Sequence, residues 1–168
     1  MDYFLYGSAM SFYTGKARSY LRKKGLRFEM RSTSHPGYAR VVGVVGHAYQ
    51  PILETAEGEV VQDTTEIIDF VESRHSLPAM YPTTPVQRLV ALLLELFGDE
   101  GLVKPAMHYR WSFPEANDAF LASEFGRGIS STEIPIPDGD DPAGAARALG
   151  ARVIDDAHAS ASRVRRHG

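Results

Sequence analysis

The sequence predicts an α/β unit in the order β-α-β-α-β-β-α, followed by an incomplete all-α region. Three observations lead there. Short apolar runs of strand length end at glycine or turn residues; between them apolar residues recur at helical spacing; and Pro78, Pro82 and Pro85 separate this alternating part from a leucine-rich one. The expected division is residues 1–77, a linker over 78–84, and a partial helical region over 85–168.

Tyr3 to Tyr6 is an aromatic and aliphatic run closed by Gly7-Ser8, which reads as a buried strand. Residues 13–24 read as a helix: Ala17, Tyr20 and Leu21 share one face, and Lys16, Arg18, Arg22 and Lys23 take the wet side. Gly25 suits the left-handed residue that ends such a helix. Arg27 to Arg31 alternates Phe28 and Met30 with charge, as a half-buried strand does. A short helix can follow Pro36-Gly37, and Gly43-Val44-Val45-Gly46 reads as a glycine-bounded loop without the spacing of a phosphate cradle. Ile52 to Thr55 and Glu59 to Gln62, joined through Glu57-Gly58, read as a hairpin. Asp63 or Thr64 then caps a helix carrying Ile67, Ile68 and Val71. A longer helix bears Leu89, Leu92, Leu93 and Leu96. It is expected to run towards Trp111 with interruptions at Gly98 to Gly101 and at Pro105. Residues 129–143 hold three prolines and little periodicity, and residues 143–166 offer few large apolar residues, so that stretch reads as a marginal helix or a loose tail.

Hydrophobic content of 43% and charged content of 23% fit a globular chain. A formal net charge of −3 gives no basic face for nucleic acid. The run Arg22-Lys23-Lys24 falls at a helix end, where it answers the dipole. No apolar run reaches the roughly 18 residues of a membrane span, and Met1 leads almost directly into a strand, so no membrane association is expected and a cytoplasmic location is the default. The chain has no cysteine. Disulfides, thiolate metal sites and a cysteine nucleophile are therefore excluded, and any thiol chemistry must use a ligand's sulfur. His35, His47, His75 and His108 lack metal-ligand spacing, so no metal is expected.

Three segments stand in the order and spacing of a known scaffold: Ser11-Phe12-Tyr13-Thr14-Gly15-Lys16-Ala17-Arg18, Gln50-Pro51-Ile52-Leu53 and Gln62-Asp63-Thr64-Thr65-Glu66-Ile67. Together they resemble the thioredoxin-like, glutathione-binding domain of the glutathione transferase family. The resemblance covers about residues 3–111, with Met80-Tyr81-Pro82 resembling the inter-domain segment. It implies that the first segment carries the thiol-activating residue, that Pro51 is the family's cis-proline, and that Asp63-Thr64 holds the γ-glutamyl end of glutathione. Glutathione is then a co-substrate, a small electrophile is its acceptor, and a homodimer is the expected assembly.

Each mark also has a plain reading. Ser11 is a good N-cap in any protein. At a helix N-terminus, its hydroxyl can also donate to a thiolate, and the free N–H groups favour the anion. Tyr13 and Thr14 lie within one turn and remain open as the activator. Pro51 can be an ordinary edge-strand proline; the resemblance adds that Gln50 turns its backbone towards the peptide. Asp63-Thr64 can be only an acidic helix start; the resemblance adds a partner for an α-amino group and a carboxylate. Met107 and Trp111, at i and i+4, suit the electrophile pocket or simply the core. Tyr3 and Tyr6 read as core or rim.

Family members carry several long C-terminal helices, and beyond about Arg127 no such pattern is found. The exposed leucine stripe at 89–96 then needs the tail or a partner subunit as cover. The expected activity is conjugation of glutathione to a small electrophile. The alternatives are a non-catalytic glutathione-binding or protein-interaction module, and an inactive truncated family member.

Overall fold

The first strand, β1 (Tyr3–Tyr6), alternates its side chains to the two faces of a four-stranded sheet and so seeds two cores. The computed structural model describes residues 2–129 together with Ala151, Ile154 and Asp155. α1 (Phe12–Lys23) returns the chain to β2 (Phe28–Arg31), which pairs parallel to β1 with Tyr3 opposite Phe28. α2 (Tyr38–Val45) leads to β3 (Ile52–Thr55), antiparallel to β1, and β4 (Val60–Gln62) completes the hairpin before α3 (Thr64–Arg74). The strand order is β2-β1-β3-β4, a thioredoxin-like mixed sheet. The sequence-derived order of seven elements is the observed one.

The pleat sorts the core. Tyr3, Leu5 and Leu53 pack with Ala17, Leu21, Ile67 and Val71 under α1 and α3. Tyr6 and Ile52 pack with Val41 of α2 on the other face. Fully burying one such Leu or Ile stabilises by about 1.5–3 kcal/mol, so these seven-plus-three residues are what hold the sheet against its helices. Gly58 takes φ 94° in the hairpin turn, and Gly25 takes φ 74° past α1, where its N–H bonds Arg22 O at 3.0 Å.

One local reading is corrected. Gly43-Val44-Val45 is not a loop but the last turn of α2, and only Gly46, at φ 82°, leaves the helix. Val41, Val42 and Val45 packing on the sheet outweighs the helix cost of Gly43. Lys24 stands at the C-cap of α1, the helix end expected of it, and its side chain is fully buried there, with Nζ 2.7 Å from Glu72 Oε1 of α3 and 2.8 Å from Pro78 O.

α4 (Pro85–Leu96) starts with proline at its first position, where a missing N–H costs nothing. A π turn at Phe97–Gly101 follows, so the helix widens instead of breaking at its glycines. α5 (Val103–Trp111) accommodates Pro105 within its first turn, and α6 (Pro114–Ile129) is a further helix in a stretch to which the sequence reading assigned no element. Lys16 of α1 ties the two parts together, at 2.7 Å from both Glu95 and Asp99. α4 buries none of its own residues; Leu89 and Leu93 are 58% and 56% exposed. The expectations for residues 130–168 lie outside the described residues, apart from Ala151, Ile154 and Asp155.

Candidate functional site

A cleft of about 710 Å³ opens between the N-terminus of α1, the loop entering β3, the N-terminus of α3 and the π turn. Its walls include Ser11, Tyr13, Gln50, Pro51, Asp63 and Thr64, and on the far side Leu96, Asp99 and Glu100. Six of the seven residues that the sequence offers for thiol activation and peptide binding therefore share one cavity. The seventh, Thr14, does not reach it. Thr14 is fully buried inside α1, against Gly7, where a Cβ would stand 2.4 Å from its Oγ1.

Ser11 has extended backbone (φ −71°, ψ 125°), and its Oγ accepts from Thr14 N at 3.2 Å. Among the described residues no acceptor takes the Ser11 proton. Tyr13 differs: its hydroxyl donates to Asp99 O at 2.9 Å, and burial, then the carboxylates of Glu100 and Asp99, raise its pKa above the usual phenol value. Its proton is thus held and already in use.

The Gln50–Pro51 peptide is cis and Pro51 is buried. The Gln50 side chain accepts from Ser8 N, and Gln62 Nε2 donates to His47 O at 3.1 Å and Tyr49 O at 2.6 Å. These contacts lock the loop 47–50 to β4 and to the segment after β1. Asp63 caps α3: its Oδ1 accepts from Thr65 N at 2.8 Å, with backbone at φ 75°, ψ 139°. A non-glycine residue in that region stores about 1–3 kcal/mol of strain. Asp63 is exposed at the cleft edge, whereas Thr64 is buried behind it.

Residues 5–79 match the family model described as glutathione S-transferase, N-terminal domain. The matched stretch runs from β1 past α3. Among solved structures, it is similar to a Tau class glutathione S-transferase from mango, Mangifera indica, at 20% identity and TM-score 0.51, covering 89% of this chain and 57% of that one. A glutathione S-transferase from Rhodospirillum rubrum is similar at 16% identity and TM-score 0.55, over 93% of this chain and 62% of that one. The chain thus spans less than two thirds of these two proteins. One from Methylobacterium radiotolerans, in complex with glutathione sulfonate, is similar at 21% identity and TM-score 0.52, over 95% of this chain and 91% of that one. At these identities the likeness is one of fold. No curated protein matches the chain.

Asp99 and Glu100 are cleft residues that the sequence did not flag, and Leu96, read there only as part of the leucine stripe, also lines the cleft. Their signal was the Gly98-to-Gly101 interruption, since π turns gather at functional sites. Lys16 was inside the first quoted segment, but its role in holding Asp99 needed the fold. Trp111 stacks on Phe125 at 6.1 Å, and neither Trp111 nor Met107 lines the cleft. Among the described residues no group of His, Asp or Glu is placed to hold a metal ion, and no helix is long and apolar enough to cross a membrane.

Proposed function

We propose that this chain binds glutathione in the 710 Å³ cleft and conjugates its thiolate to a small electrophile. The observation that carries the reading is the convergence of Ser11, Gln50, Pro51, Asp63 and Thr64, from three separate segments, on one cavity of ligand size. The family of the N-terminal domain supports glutathione as the ligand, and so does the similar Methylobacterium protein in complex with glutathione sulfonate.

In this mechanism Ser11 donates its uncommitted proton to the sulfur, at the positive end of α1. A hydrogen bond to a charged group contributes ~1.5–3 kcal/mol, and the helix end adds ~0.3–1 kcal/mol. At ~1.4 kcal/mol per unit, a thiol near ~8.5 falls by roughly 1.5–3 units. The Gln50 backbone meets the cysteinyl amide. Asp63 pairs the α-amino group, and the opening of α3 with Thr64 receives the γ-glutamyl carboxylate. The strain at Asp63 fits a residue held for function. Residues 1–77 form the glutathione-binding domain and 78–84 the linker, and the region after it supplies the other wall through Leu96, Asp99 and Glu100. A homodimer covers the apolar face of α4. The cytoplasm, where the glutathione pool is kept reduced, suits this chemistry.

The test is a rate assay with a chromogenic aryl halide beside calorimetric titration with glutathione. Glutathione binding together with conjugation above the uncatalysed rate is expected. Binding without conjugation would leave a binding module, and no binding would overturn the reading.

A further inference from the structure

A second cavity, of about 350 Å³, lies across the wall from the cleft, lined by Met10 and Phe12 on one side and Tyr109, Arg110, Phe120 and Leu121 of α5 and α6 on the other. The segment 9–13 is shared. Met10 and Phe12 face the smaller cavity, whereas Ser11 and Tyr13 face the larger.

Arg110 is the one charged side chain among the lining residues. Its Nη2 donates to Met10 O, and Nη1 lies 3.6 Å from Met107 Sδ. Among the described residues no carboxylate pairs with it. The neighbouring Asn117 has its amide hydrogens engaged by Tyr109 O and Arg110 O, at 2.6 and 3.2 Å. Burial lowers the pKa of this guanidinium, yet an arginine stays charged in a protein. The cavity therefore holds a partly desolvated cation with a neutral oxygen and a sulfur as partners, beside aromatic rings. A desolvated charge of this kind is unfavourable until a counter-ion arrives, and a guanidinium fork matches a carboxylate bidentately.

We propose that this cavity takes the second substrate, an aromatic electrophile bearing a carboxylate, with Arg110 binding its anionic group. The rings of Phe12, Tyr109 and Phe120 flank the aryl part, and Phe12 adjoins Ser11, which faces the cleft. For an aryl chloride, the thiolate lone pair forms the C–S bond and chloride leaves with the C–Cl pair. The thiol proton has already gone to solvent. The assignment of the acid as a substrate rests on the conjugation reading above, whereas the binding of the acid does not.

The experiment has two arms, each on the full chain, on Arg110→Gln and on the charge-preserving Arg110→Lys. In the first, the fluorescence of Trp111, the sole tryptophan, follows titration with phenylpropionate or neutral phenylpropanol. The acid is expected to bind at least tenfold more tightly than the alcohol, with the preference lost in Arg110→Gln and largely kept in Arg110→Lys. In the second, kcat/KM is measured for para-chloro-meta-nitrobenzoate and for the matching benzamide. The acid-to-amide ratio is expected to fall at least tenfold in Arg110→Gln, mostly through KM, and to recover in Arg110→Lys. Equal affinity for acid and alcohol in wild type, or an unchanged ratio in Arg110→Gln, overturns the proposal while leaving conjugation standing. Selective acid binding with neither aryl chloride turned over supports the anion site and overturns its use in conjugation.

Discussion

Ser11 and Tyr13 stand on the same cavity wall, and their protons separate them. The Tyr13 proton is committed to Asp99 O, while that of Ser11 has no described acceptor. Replacing Ser11 with Ala is therefore expected to lower kcat/KM for conjugation by roughly ten- to a hundredfold, the equivalent of one hydrogen bond to a charged group. Tyr13→Phe should change it by less than threefold; a larger loss for Tyr13→Phe than for Ser11→Ala would reverse the assignment. Ser11→Ala also removes an N-cap, at a cost of about 1 kcal/mol, so a urea titration should accompany the kinetics. At Asp63 charge can be separated from shape. Asparagine also caps helices and tolerates positive φ. Asp63→Asn should therefore leave stability within about 0.5 kcal/mol of wild type, yet weaken glutathione binding roughly tenfold or more in calorimetry if the carboxylate pairs the α-amino group.

At the scale of elements, the tie between α1, α3 and the segment after α3 depends on Glu72, which accepts from Lys24 at 2.7 Å, Tyr20 at 2.6 Å and Met80 N at 3.3 Å. Burial pushes the Glu72 carboxyl up, but these three donors outweigh it and hold the pKa below the usual 4.5. Its contribution is present above pH 4.5 and lost as pH falls through the lower folded value. Glu72→Gln strands the buried Lys24 and should cost ~3–5 kcal/mol at neutral pH. Its stability should also fall less steeply than that of wild type below pH 4.5, as read by urea unfolding across pH. Parallel acid limbs would remove Glu72 from this role. The seven elements of the first part were legible because each depends on local signals: a period of two in Tyr3–Tyr6, helical spacing in Ala17–Leu21, Gly58 in the hairpin. Gly43 misled because tertiary packing of its neighbouring valines overrode its own preference. The burial of Lys24 was not legible because a partner 48 residues away leaves no mark in its own neighbourhood.

In the whole molecule, the side of the cleft proposed to hold glutathione comes from segments whose chemistry shows in sequence, and the opposite wall comes from α4 and the π turn, which Lys16 pins through Glu95 and Asp99. That pairing joins residues 79 and 83 positions apart, so only the fold reveals it. The same α4 leaves Leu89, Leu93 and Leu94 exposed, a contiguous apolar face that a second copy is proposed to cover. Sedimentation at micromolar concentration should give a dimeric mass, and Leu93→Arg should shift it towards monomer; a wild-type monomer across that range would refute the assembly. Stabilisation of a ligand's sulfur anion by the opening turn of α1 is the step on which the proposed chemistry depends. Its most direct measurement is an ultraviolet titration of the thiolate of bound glutathione in wild type and Ser11→Ala. Wild type should ionise it roughly 1.5–3 units below the ordinary ~8.5, and Ser11→Ala should return most of that shift. A bound thiol that titrates near ~8.5 in wild type, or identically in both proteins, would contradict it.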